Sequence, residues 1–600
     1  MTWKNNRWVK FLEGYCKGKN QIQDEYVRKV AKNLGIEEPL DIEFPWQREI
    51  LAKFDSKDEH RVIILTGTAG DGKTKLCRDI VKSLDGDDFD ESKWNADGYF
   101  STQNRTIVKD FSELKSDKDR LIRELIDVLD KGFVSKPILV AVNDGILVED
   151  LESFIERCPE ERELARRLKE IIEDKINLGF SNCEGQGLIN LINLSKLNAK
   201  ENMSMIFDTI LNHSGWNDCD GCTGKEGQSC SIYNKYNLLK SKPYIKENLS
   251  DIILLLQLNN EHFTIRELLN LTTNTLLASV PKAKVFKVID MPSKIPVMNC
   301  KAMSKIEHAS VFNSESSIEV GFWGMNLGPH KMHSTRPYSE INKLGFGELS
   351  TNYWDRLLKQ KDKRKFSIPL DINNNLFDER RLDGEGANNE LWGALIRRSR
   401  MQLYCYQDND SSSFHLQRYF YFGIYQEKVY NALLSSGCAL DIDTIATIVL
   451  SLNRVFHGRY ISENSGRDRL FVPEKGQGSI APISVFHGED IRERDICIKS
   501  VQHDVNLSGA RVEPILILEL DRDNEVKISL TVELFDYLMH VSKGAPPNTT
   551  NPRLYKKLLI FRSKISTMFS SISRSNQQRV ETYSINEGEF RPVVLEVKNG

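Results

Sequence analysis

No stretch of this 600-residue chain stays apolar for long; residues 252–256 and 137–142 are among the longest runs. Both fall far short of the ~20 residues that a membrane-spanning helix needs, so a membrane protein of that kind is not expected. Residues 1–18 lack the uninterrupted apolar core and small-residue cleavage site of a signal peptide, and a cytoplasmic location is the expectation. Charge of one sign is also missing: 82 Lys and Arg stand against 85 Asp and Glu, a formal net charge of −3. General attraction to nucleic acid or anionic lipid is thereby excluded, and any DNA contact would need a local basic patch. The eleven cysteines are odd in number and widely scattered, which excludes a disulfide framework. No fixed-period repeat, low-complexity tract or nuclease-like D…E-x-K cluster stands out.

What is present is enough apolar side chain, 40% of residues, to build several cores, and 600 residues exceed what one core holds. We divide the chain into a helical prefix (1–57), an α/β core (58–200), a cysteine-bearing insertion with a helical lid (201–285), a mixed α/β region (286–440) and a β-rich C-terminal domain (441–600). In the core, short apolar runs alternate with amphipathic helices, the pattern of a parallel sheet covered on both faces. Strands are expected at 61–66, 98–102, 137–142 and 188–194, with helices at 121–129 and 161–176 between them. The C-terminal part reads as strands at 514–520, 525–530 and 590–597, with a helix at 532–541.

The strand at 61–66 runs into Gly67-Thr68-Ala69-Gly70-Asp71-Gly72-Lys73-Thr74, which fits the phosphate-loop template G-x-x-x-x-G-K-[ST] at every fixed position. Glycines let successive N–H groups turn inward toward the α- and β-phosphates of a nucleotide such as ATP, and the following helix presents its positive end. Lys73 would reach the β- and γ-phosphates, and the Thr74 hydroxyl would complete a Mg²⁺ shell. The expected fold class is therefore a P-loop NTPase domain, AAA+-like, with a helical lid.

Hydrolysis needs more. Where such ATPases carry an acidic pair after a neighbouring strand, this chain has Asn143-Asp144. Asp144 either polarises the attacking water, with Asn143 in the first acidic position, or is itself the Mg²⁺ residue. Asn193, polar within the apolar run 188–194, is a candidate γ-phosphate sensor. Thr264 and Glu267 read as a capping box that opens a helix, and Arg266 in its first turn opposes the helix dipole unless an anion is near. Arg266 is thus a candidate second sensor. The basic run Arg397-Arg398-Ser399-Arg400 is a weaker candidate for a trans-acting finger or a phosphate contact.

Cys219-Asp220-Gly221-Cys222 followed by Cys230 presents three thiols in a loop of little apolar content. Structural Zn²⁺ takes four ligands, with His213 and Cys183 as candidates for the fourth.

TGTAGDGKTKL, VAVNDG, the C-x₂-C…C-S-I-Y-N segment and HFTIREL together resemble the ATPases of bacterial phage-defence and restriction operons. In particular they look like the DNA phosphorothioation-dependent restriction ATPases, DptF-like. The resemblance covers residues 45–285 and, weakly, the Arg-Arg-x-Arg segment. It implies an AAA+ or related P-loop motor or switch, able to oligomerise, that works with a nuclease or helicase partner encoded nearby. Two functions follow as expectations: an ATP-hydrolysing subunit that remodels DNA or a partner, and a nucleotide-gated scaffold or sensor with little turnover. Asn143 favours the second.

Overall fold

The computed structural model describes residues 4–16, 24–36, 40–55, 62–85, 98–102, 104–114, 117–178, 183, 185–227, 230–277, 300, 336–344, 421–439, 441–473, 483–487, 495–501, 507, 509–521, 524–573 and 579–592. They form a mixed α/β protein that divides into two compact units. The first holds residues 1–257, 261–413 and 502–511; the second holds 258–260, 414–501 and 512–600. Arg397, Arg398 and Arg400 lie outside the described residues, as do the glycine- and asparagine-rich breaks at 324–328 and 373–389.

The first unit is built on a five-stranded sheet: β1 (Val62–Thr66), β2 (Tyr99–Ser101), β3 (Thr106–Val108), β4 (Ile138–Ala141) and β5 (Ile189–Asn193), in the order β2-β3-β4-β1-β5. β3, β4, β1 and β5 are mutually parallel, whereas β2 runs antiparallel to β3. The sheet is therefore mixed rather than wholly parallel. β3 escapes the sequence reading because three residues are too short to show a period. All five residues of β1 are buried, as a central strand covered on both faces requires.

Side chains alternate across the strand, so Val62 and Ile64 share one face with Val140 and Leu191. On that face they meet three amphipathic helices: Lys118–Lys131, Asp144–Arg157 and Arg162–Leu178. Leu121, Leu125, Leu151, Phe154, Leu168 and Ile172 fill the layer. The helix Lys73–Asp85 continues directly from the loop after β1 and packs on β4, burying Leu76, Ile80 and Val81.

A helical layer completes this unit. The helix Ile265–Leu277 packs against both Arg7–Cys16 and Ala199–Asn212. It starts as its sequence foretells: the Thr264 N–H donates to Glu267 Oε2 (3.0 Å), and the Glu267 N–H donates to Thr264 Oγ1 (3.2 Å).

The second unit departs from the β-rich expectation. It has a four-stranded sheet of β6 (Cys438–Ala439), β8 (Ile496–Ser500), β9 (Pro514–Asp521) and β10 (Asn524–Ser529). A three-stranded sheet joins β7 (Ile483–His487), β11 (Arg579–Asn586) and β12 (Glu589–Pro592). Its core is equally helical, with Ile442–His457, Val532–Ser542 and the 22-residue helix Pro552–Ser573 in contact. The first of these is rich in Ile, Val and Thr, side chains that favour strands, and is set as a helix by Asp441, whose carboxylate accepts from the Thr444 N–H (3.1 Å).

Candidate functional site

β1 lies between β4 and β5, and the chain reaches these two neighbours in opposite directions from it. Such a switch point opens a crevice at the carboxyl ends of the strands. Three segments end there: the 67–74 loop after β1, Asn143 after β4, and Asn193 with Ser195 at the end of β5, where Thr66 pairs in register with Asn193.

The loop needs its glycines for different reasons. Gly67 stands at φ 130°, and a Cβ there would lie 2.7 Å from Asp71 Oδ2. Gly70 stands at φ 109°, and a Cβ there would crowd the Arg266 Cβ and the Thr264 hydroxyl, each at 3.2 Å. Both are conformations that an L side chain adopts only under strain. Within this arch the Lys73 ammonium donates to the carbonyls of Gly67 (2.6 Å) and Thr68 (3.0 Å) and to Asn143 Oδ1 (2.9 Å). Thr74 follows, half-buried, in the first helical turn.

Asp71, given by the sequence only as a variable loop position, is the loop's internal tie. Its side chain is 2% exposed. Oδ2 accepts from the Thr68 N–H (2.6 Å), the Thr68 hydroxyl (3.2 Å) and the Ser195 hydroxyl (3.0 Å), and Oδ1 faces His262 Nε2 at 3.0 Å. A buried carboxylate is tolerable because these donors replace water. His262 brings with it the start of the Ile265–Leu277 helix, whose Arg266 N–H donates to the Gly70 carbonyl (3.2 Å). Arg336, in the helix Arg336–Lys343, holds that turn in place: it donates to the His262 carbonyl, pairs with Glu261 (2.8 Å) and Glu267 (3.4 Å), and lies over the Phe263 ring.

Of the residues singled out from sequence, the 67–74 loop, Asn143, Asn193 and the backbone of Arg266 come together at this end of the sheet. Asp144 begins the helix Asp144–Arg157, and its side chain lies outside the described residues. Asn193 Oδ1 accepts from the Ser195 N–H (2.9 Å) and so shapes the turn that carries Ser195 to Asp71. His262, Ser195 and Arg336 were missed. His262 sits two residues before a recognisable cap and could have been weighed with it, whereas nothing local marks Ser195 or Arg336. Two buried polar atoms near this end have no hydrogen-bond partner among the described residues: Thr66 Oγ1, at the last position of β1, and His262 Nδ1.

The cysteine segment forms a separate locus. Cys219, Cys222 and Cys230 line one pocket, and a fourth cysteine, Cys300, lines it with them. His213 instead accepts from the Gly215 N–H through Nδ1 (2.9 Å) and stacks on Trp8. Cys183 packs against the core of the sheet domain. Burial pushes the Cys300 thiol up to about 11. Burial also acts to raise Cys222, but N–H groups of Lys4, Gly224 and Lys225 directed at its sulfur outweigh this and draw it below the ordinary thiol value.

Comparison with protein-family models, with curated proteins and with solved structures yields no match. Among the described residues no helix is long and apolar enough to cross a membrane.

Proposed function

We propose that the 67–74 loop binds the phosphates of ATP together with Mg²⁺, and that the chain works as an AAA+-type ATPase subunit of a bacterial restriction or anti-phage complex. The observation that carries the reading is Lys73. Its ammonium stands inside an arch of left-handed glycines at the carboxyl end of a central parallel strand, bonded to carbonyl and amide oxygens that a phosphate oxygen would replace.

The surrounding residues fit such a group. The helix Lys73–Asp85 starts from the loop, Thr74 in its first turn would complete a cation's shell, and Thr66 has a buried hydroxyl without a partner among the described residues. Arg266 and His262 join the loop to the Ile265–Leu277 helix, so a change in the loop's shape would be passed to that helix. A nucleotide thereby becomes a handle on the helical layer, and DNA, a nuclease or a helicase would be the load.

Lys73→Ala tests the reading. ATP affinity measured by calorimetry should fall at least about tenfold, roughly 1.4 kcal/mol, in a chain that still folds. Unchanged affinity would remove the site. The second reading, a nucleotide-gated scaffold with little turnover, is favoured by Asn143, which bonds Lys73 where a carboxylate is usual in such ATPases.

A further inference from the structure

We propose that Cys219, Cys222, Cys230 and Cys300 hold one structural zinc ion in a tetrahedral all-thiolate site. This rests on a different locus from the nucleotide reading and stands or falls without it.

The four cysteines line a common pocket whose other walls are Lys4, Asn6, Trp216, Lys225 and Tyr233 among others. Among the described residues no three His, Cys, Asp or Glu side chains stand at metal-ligand spacing, and metal binding would require the thiols to turn toward one another within the pocket. The backbone around them is arranged for thiolates. The Cys222 N–H donates to the Cys219 carbonyl (3.2 Å), closing a tight C-x₂-C turn that presents both sulfurs to one side. The Asn6 amide donates to Cys219 Sγ (3.0 Å) and the Lys4 N–H to Cys222 Sγ (3.3 Å). Donors aimed at sulfur in this way orient metal-bound thiolates and soften their negative charge. Lys4 and Lys225 line the pocket as well, together with Asp218, and the Lys225 ammonium is paired with Asp220 (2.5 Å).

Zinc, rather than a pair of disulfides, suits these features, because N–H donors stabilise thiolates and lose their purpose at a disulfide sulfur. The ion would tie the 219–230 loop to the chain at residue 300, while Lys4 and Asn6, before the helix Arg7–Cys16, bond to two of the thiolates. On binding, Zn²⁺ replaces four thiol protons, which pass to solvent.

The test uses the full chain, purified under reducing conditions from zinc-replete culture. Elemental analysis should find about one zinc per chain in the wild type and in Cys183→Ser, and at least a tenfold loss in Cys300→Ser. Exchange into Co²⁺ reads the ligands directly. The wild type should give the strong thiolate-to-cobalt charge-transfer band and intense visible bands of a tetrahedral four-sulfur site, and Cys300→His should regain metal with the shifted spectrum of three sulfurs and one nitrogen. That regain separates a lost ligand from a lost fold. A wild-type chain that binds neither metal overturns the proposal. So does a Cys300→Ser chain with wild-type zinc content and cobalt spectrum, or a Cys300→His chain that stays metal-free while circular dichroism shows wild-type helix content.

Discussion

Replacing Asp71 should loosen the phosphate-loop candidate from within. The carboxylate is buried and serves four donor contacts from three residues, Thr68, Ser195 and His262. Asp71→Ala removes the acceptor and leaves the Thr68 N–H, the Ser195 hydroxyl and the His262 Nε2–H facing a small apolar void. Breaking a buried charged network on one side costs about 3–5 kcal/mol. Asp71→Asn is milder and its cost is set by His262. The amide oxygen must face the Thr68 N–H, so its NH₂ meets Nε2, and the imidazole has to shift its proton to Nδ1. That atom is buried and has no partner among the described residues, so the exchange leaves one orphaned donor, about 1–3 kcal/mol. With two units in one chain, a single unfolding transition is not assured, so opening is better read locally, by native-state hydrogen exchange of peptides spanning Thr68 and His262. A cycle of Asp71→Ala, His262→Ala and the double variant should show a coupling of about 1–3 kcal/mol. Additivity within about 0.5 kcal/mol, or unchanged loop protection in Asp71→Ala, would refute the assignment of Asp71 as the tie.

His457, in the second unit, gives a pH dependence. Burial pushes its imidazole down to about 4, although Nε2–H donates to the Phe471 carbonyl (2.9 Å), and Arg562 and Arg459 lower it further. The unfolded chain then binds a proton between about 6.5 and 4 that the folded chain refuses, so stability is full above the upper value and falls by up to roughly 3 kcal/mol as pH drops through this window. His457→Gln should flatten that part of a denaturation-against-pH profile, and an unchanged slope would count against it. Arg454, 3% exposed, donates to the carbonyls of Ile461 (2.8 and 2.6 Å), Val541 (2.8 Å) and Ser542 (2.5 Å). A lysine cannot span these carbonyls with one ammonium, so Arg454→Lys should lower the second unit's stability by about 2–4 kcal/mol in chemical denaturation.

The central strands could be read from sequence because a strand buried on both faces must be continuously apolar, as Val62–Leu65 and Ile138–Ala141 are. The 67–74 loop was legible as a phosphate-loop candidate because that chemistry fixes residue types at fixed spacing. The Thr264 cap was legible because its two hydrogen bonds are local. Less accessible was anything that depends on long-range pairing. Asp71 and His262 are 191 residues apart, and neither residue announces the other. Cys300 looked solitary beside a three-thiol cluster because only tertiary folding brings it to the pocket. The helix Ile442–His457 was missed for another reason, since its β-branched side chains speak for a strand until the Asp441 cap and the packing of Leu450, Leu452 and Val455 overrule them.

On the ATP reading turnover is a separate question, and the carboxylates at this end of the sheet bear on it. Asp71 is buried and committed to the loop. Asp150 is paired with Lys118 at 2.7 Å, and Glu149 is exposed on the helix that follows Asn143. Asn143 itself accepts from Lys73 and has no acidic proton chemistry to offer. On the ATP reading, Asp144 remains the carboxylate that the sequence offers for the γ-phosphate or its Mg²⁺. If it polarises water, Asp144→Asn should abolish hydrolysis while ATP affinity holds or rises, because one negative charge near the phosphates is gone. If it serves the metal instead, wild-type turnover should already be slow and the variant should lose Mg²⁺-dependent affinity. Steady-state hydrolysis with and without DNA, read beside calorimetric ATP affinity for both proteins, separates the two. Substantial turnover that survives Asp144→Asn would refute both roles and send the search to another carboxylate, Glu149 or Asp150 of this chain or one from a second copy. Specific activity that climbs with chain concentration would then point to a second copy as its source, since a residue delivered across an interface acts only in the assembled state.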